Sequence, residues 1–207
     1  MTDSDASQAP DRASFVWDKQ GDLMARCELS ALYHGKRERF LGSMERTMQA
    51  LTALAATSAF ADIAGKPGST IGKCLALIAA VSSILPLVFG FAERARAHGQ
   101  LKANFQSILA DMYGVGLELS EEQLSEFRSR VAKIEAGESS SLAALVIHCQ
   151  NEIAVAREQP VFALSIWEKC FMHFYSFDAV AIYEREKAKL EKKNKSRVIE
   201  QNPSVSP

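Results

Sequence analysis

Between Lys73 and Glu93 the chain carries no charge: residues 74–92 read CLALIAAVSSILPLVFGFA. At about 1.5 Å of rise per residue, a helix of this length spans a hydrocarbon core of about 30 Å. It is apolar all round, with no polar stripe, so it must be buried on every side, in lipid or in protein. Lipid is the reading adopted for residues 71–92. Ser69 or Thr70 is placed to cap the start of this helix.

The stretch before it, residues 47–64, is alanine-rich and nearly free of charge, with Leu51, Leu54, Phe60 and Ile63 as its bulky members. Gly65-Lys66-Pro67-Gly68 then forms a helix terminator and turn. Together the two segments predict a transmembrane hairpin over residues 47–92. Gln49, Thr52, Thr57, Ser58 and Asp62 weaken its first helix, since a carboxylate deep in a bilayer costs roughly 2.5–3.5 kcal/mol. Asp62 sits near the turn, within reach of the interface. Ala53, Thr57 and Ala61 recur every four residues, a spacing that lets membrane helices approach closely.

Lys36, Arg37, Arg39 and Arg46 precede the hairpin and Arg94, Arg96 and Lys102 follow it, whereas the turn carries only Lys66 and Lys73. By the positive-inside rule both termini are cytoplasmic. Upstream, residues 15–46 read as an amphipathic helix with Leu23, Cys27, Ala31, Phe40, Leu41 and Met44 on its apolar face. Downstream, Phe91, Ala95, His98, Leu101, Phe105, Ile108, Leu109 and Met112 keep three-and-four spacing. The second hairpin helix is therefore expected to run on as one rod to Gly114 and Gly116. Ser120 with Gln123 predicts a capping box, and Gly137 the end of that helix. A further helix follows the serines at 139–141 and closes at Pro160. Residues 93–184 thus form a cytoplasmic helical region, including an aromatic stretch from Phe162 to Tyr175 at helical spacing. Residues 1–14 and 185–207 read as tails, the second one charged and Lys-rich.

Lysine and arginine total 24 against 25 acidic residues, a net charge of -1, so no basic field exists to hold nucleic acid. The cysteines, Cys27, Cys74, Cys149 and Cys170, form no C-x-x-C pair and fit small apolar residues of a reducing compartment. The N-terminal stretch has neither the basic region nor the apolar run of a secretory signal.

No motif supports catalysis or a cofactor. Gly65 to Cys74 superficially resembles a phosphate loop, but Pro67 stands where its first glycine belongs, Cys74 replaces the hydroxyl residue, and no strand pattern precedes it. Gly114 and Gly116 lack the third glycine of a dinucleotide fingerprint. Cys170 with His173, and His148 beside Cys149, offer only two-ligand fragments, too few for a metal. Asp62, Ser82, Ser83 and Pro86 are the polar or helix-disturbing groups of the hairpin. Pro86 donates no amide and frees the Ser82 carbonyl one turn earlier. These four are candidates to line a pore if hairpins assemble or to pack one hairpin; otherwise the serines bond back to their own helix and Pro86 only bends it.

Tyr33-His34, Arg37 and Phe40, just before a two-helix membrane hairpin followed by a long helix, resemble the SLATT superfamily of two-transmembrane proteins. Cys149-Gln150-Asn151-Glu152 is similar to a Cys-x-Asn-Glu stretch on a late helix of small two-pass bacterial proteins. The resemblance covers residues 29–158. It implies a homo-oligomeric effector of bacterial conflict systems in the inner membrane, whose hairpins open a pore while the cytoplasmic part assembles or meets a protein partner. Two alternatives remain: a non-conducting membrane-anchored scaffold, and a soluble all-α bundle with residues 71–92 as its buried central helix.

Overall fold

The computed structural model describes residues 9–66, 69–116, 119–138 and 140–189, over 9–17 as backbone only. Among them every regular element is a helix: α1 (Ala9–Gly65), α2 (Thr70–Phe89), α3 (Phe91–Val115), α4 (Glu121–Glu135), α5 (Ala143–Ala156), α6 (Ile166–Phe171) and α7 (179–189). They fall into two compact units, Met1–Gly137 and Glu138–Pro207.

α1 is one helix of 57 residues, where the sequence predicts two segments meeting near residue 46. Neither proline nor glycine stands between Ser43 and Ala64, and the alanines there are the strongest helix formers, so nothing interrupts the hydrogen-bond ladder. Its start at Ala9 lies inside the stretch expected to be a tail. Pro10 is tolerated in a first turn because its missing N–H would be an orphan there anyway. Residues 1–8 lie outside the described part, as do 190–207, and α7 occupies residues up to 189 of the other expected tail.

One stripe follows α1 from Gln20 to Asp62. Gln20, Leu23, Cys27, Ala31, His34, Glu38, Leu41, Glu45, Met48, Thr52, Ala55, Ala59 and Asp62 are all buried or half-buried, at steps of three and four. A matching stripe follows α2 and α3 in the opposite direction: Gly72, Leu75, Ala79, Ser82 and Pro86, then Ala95, His98, Lys102, Phe105, Leu109 and Met112. Alternating three-and-four steps keep each seam facing its partner, so the two strands of helix pack as a long antiparallel pair. The expected unbroken rod is interrupted once. Gly90 takes the left-handed conformation (φ 59°, ψ 40°), donating its N–H to the Pro86 carbonyl at 2.9 Å, and α3 starts afresh at Phe91.

At the open end of this pair α4 packs across α1 and α3. Leu23, Cys27, Ala31, Phe105, Ile108, Met112, Leu119, Leu124, Phe127 and Val131 form the buried core there. Ser120 makes the predicted capping box with Gln123, and Gln20 Oε1 accepts the Leu119 amide at 3.2 Å. Arg26–Glu135 and Arg130–Asp111 ion pairs fasten the rim.

In the second unit the aromatic stretch is helical only over Ile166–Phe171, where Ser165 and Glu168 form a further capping box. Asn151 holds the backbone of Phe162 by both its amide groups (2.7 and 2.8 Å), and Gln150 accepts from the Tyr183 hydroxyl at 2.9 Å. Cys149 is fully buried. The Cys-Gln-Asn-Glu stretch therefore serves as a bracket joining α5 to the following loop and to α7. Arg185 grips Glu168 through two 2.9 Å bonds, which hold that carboxyl down at about pKa 2.

Candidate functional site

Two features of the first unit carry chemistry or contact potential, and both lie on the long seam. The first is where the stripes of α1 and α3 meet as histidines. His34 is 2 % exposed, and its Nδ1 stands 2.8 Å from Nδ1 of His98. One ring must donate and the other accept. Phe105 stacks on His34 (5.9 Å between centroids, 7° between planes), and Tyr33 meets both histidine rings edge-on. Burial pushes both histidines down to about 4, aided by the Arg37 charge at His34 and, at His98, by its partner ring, Arg37 and Arg94. Burial also lowers Arg37, with Arg94 adding like-charge repulsion. Two turns along α1, Cys27 is pushed up to about 11 by burial and by Glu135, which leaves it a protonated, packed thiol.

Of Tyr33, His34, Arg37 and Phe40, His34 forms the pair with half-buried His98, Tyr33 and Arg37 lie beside that pair, and Phe40 is half-buried further along α1. The sequence put His98 on the inward face of α3 without pairing it to His34. The signal was a histidine in the apolar register of each helix, and the antiparallel phase needed to match them came only with the fold. Among the described residues no group of three or more His, Cys, Asp or Glu lies together as a metal set.

The second feature is the hairpin made by the end of α1 and by α2. Its seam is lined by small and polar groups: Thr52, Ala55, Ala59 and Asp62 face Gly72, Ala79 and Ser82. The small residues expected to close it, Ala53, Thr57 and Ala61, face outward instead, because the unbroken α1 carries the phase of its upstream stripe into the hairpin. Thr52 Oγ1 and Ser82 Oγ are 2.8 Å apart across the seam, and Ser82 is 3 % exposed. A Cβ on Gly72 would come within 2.7 Å of Asp62 Oδ2 and 2.9 Å of Ile63 Cγ1, so a larger residue there requires those side chains to shift. That oxygen is buried without a hydrogen-bond partner among the described residues. Ser83 is exposed and bonds back to the Ala80 carbonyl at 2.8 Å; Pro86 stays inside α2. The four hairpin residues therefore separate: Asp62, Ser82 and Pro86 lie on the seam, and Ser83 lies outside it.

The outer surface of the hairpin is apolar. Leu54 (69 % exposed), Phe60 (77 %), Leu87 (83 %) and Val88 (70 %) protrude, with Leu51, Ile63, Leu77, Val81 and Ile84 between them. Among the described residues one helix, within Thr70–Val115, is long and apolar enough to cross a membrane, and only 6 % of its apolar window is buried.

A double-mutant cycle on Thr52→Val and Ser82→Ala should give a coupling of about 0.5–1.5 kcal/mol in the denaturant unfolding of full-length protein. Additive single effects would mean that the hydroxyl pair contributes nothing to hairpin closure.

Comparison of the chain with protein-family models, with curated proteins and with solved structures gives no match.

Proposed function

We propose that the chain is a two-pass protein of the bacterial inner membrane, with both termini cytoplasmic, that self-associates through its hairpin as SLATT-type effectors do. The observation that carries this reading is the apolar outer surface of residues 51–89, which the described residues of the first unit leave uncovered. Soluble monomers rarely expose contiguous apolar patches beyond a few hundred Å². The all-α architecture and the arginine-rich flank at the open end of the hairpin agree with it. Lipid covers most of that surface, and neighbouring hairpins cover the rest. In this reading the assembly permeabilises the bilayer, and the cytoplasmic helices govern assembly or receive a protein partner. No catalytic role is proposed.

A non-conducting scaffold is the second reading, favoured by the Thr52–Ser82 bond, which uses the hydroxyls inside one hairpin and leaves Ser83 as the outward polar group. Expressed protein should stay in carbonate-washed membranes; recovery in the soluble extract removes both readings. Given retention, loss of membrane potential on expression, read with a voltage-sensitive dye, supports the effector. An intact potential with a stable oligomer supports the scaffold.

A further inference from the structure

At the foot of the hairpin, where α1 and α3 leave the apolar zone, an open groove of about 440 Å³ is lined by Glu38, Arg39, Gly42, Arg46, Ala95, Arg96 and Lys102. Four cations face one carboxylate, and that carboxylate is already engaged: Glu38 pairs with Lys102 at 3.2 Å. Arg39, Arg46 and Arg96 are exposed and have no ion pair among the described residues. Small residues shape the floor. A Cβ on Gly42 would lie 3.6 Å from Arg46 Nη1, so the guanidinium folds over a position that has no side chain, and Ala95 keeps the α3 wall low. Arg39 is drawn along α1 by its 3.4 Å bond to the Gly35 carbonyl.

Three guanidinium groups without an ion pair among the described residues, from two helices, line this groove beside small residues and suit a phosphate group, because an arginine fork matches phosphate oxygens in pairs. We propose that this groove holds the phosphate of an anionic phospholipid headgroup. The inference rests on the membrane reading above, which sets the groove at headgroup depth. Arg46 immediately precedes the apolar half of α1, and Arg96 lies six residues beyond the Gly90 break. Acyl chains then run along the exposed flank of the hairpin while the phosphate docks between α1 and α3. Each arginine near an anionic surface is worth about fivefold in binding.

The test uses full-length protein in neutral detergent, titrated with phosphatidylglycerol, phosphatidylcholine or inorganic phosphate and followed by native mass spectrometry. Phosphatidylglycerol should bind more tightly than phosphatidylcholine. Arg46→Gln and Arg96→Gln should each weaken it about fivefold and together about 25-fold. Arg46→Lys with Arg96→Lys should retain part of the preference, which guards against simple misfolding, and Lys133→Gln on α4 should change nothing. Equal retention of the two lipids, unmoved by these variants, overturns the proposal while leaving membrane residence intact. Inorganic phosphate binding as tightly, with the same dependence on arginine, overturns the lipid assignment in favour of a soluble ligand. Failure of the membrane reading itself appears separately, as protein in the carbonate extract before any lipid is added.

Discussion

Phe105→Ala is expected to destabilise the helical core of the first unit by about 3–5 kcal/mol, the range for truncating a fully buried aromatic ring. Phe105 has no exposed surface, belongs to the cluster shared by α1, α3 and α4, and supplies the face on which His34 stacks. Removing the ring leaves a cavity in the shared core and takes away the face on which His34 stacks. The measurement is the denaturant midpoint of full-length protein, followed by helical circular dichroism. Tyr113→Ala, on the same helix but 69 % exposed, serves as the comparison and should stay within about 0.5 kcal/mol. In the Phe105 variant the His34 ring should also titrate nearer its ordinary value, because the burial that lowers it is relieved. A small change in midpoint would mean that α4 and the rest of the cluster close over the gap.

The legible part of this fold was periodicity. Leu23, Cys27 and Ala31 on α1, Phe105, Ile108 and Met112 on α3, and Leu124, Phe127 and Val131 on α4 were all readable from three-and-four spacing, and all are buried. The Ser120 capping box was readable too, because a cap is a local contract between residues three apart. What periodicity cannot supply is phase between helices. A four-residue repeat of small side chains at Ala53, Thr57 and Ala61 looks like a packing seam in isolation. It loses to Thr52, Ala55 and Ala59 only because α1 passes residue 46 unbroken and imposes its upstream register. The same missing phase hid the meeting of His34 with His98, residues 64 apart in sequence. The Gly90 break was hidden for another reason. Glycine inside an apolar run is common in membrane helices, and the left-handed conformation it adopts here has no local signature.

Mild acid should weaken the α1–α3 junction before it disturbs the Glu168–Arg185 pair. His34 and His98 are held neutral, at about 4 against an ordinary 6.5, so the unfolded chain binds protons that the folded one refuses. Their contribution to stability is therefore complete above pH 6.5, and it is lost as pH falls from there towards 4. For one ring the loss is roughly 2 kcal/mol by pH 5 and roughly 3 kcal/mol by pH 4. The Nδ1 atoms share a single hydrogen bond, so the pair responds as a unit. A first proton can enter on the donor ring's Nε2 and keep that bond, at the cost of a charge buried next to Arg37 and Arg94. A second puts two N–H groups face to face across 2.8 Å and forces the helices apart. Glu168 has the same sign but a lower window: held at about 2 by Arg185, its contribution is lost only as pH falls below 4.5. The two effects are separable in one titration of the unfolding midpoint between pH 7.5 and 4.5. His34→Phe with His98→Leu should flatten that profile, since an apolar pair has no proton to take up. A profile that stays flat in the unaltered protein, or a decline that survives both substitutions, would show that the histidines are solvated and that the seam at this point is open to water.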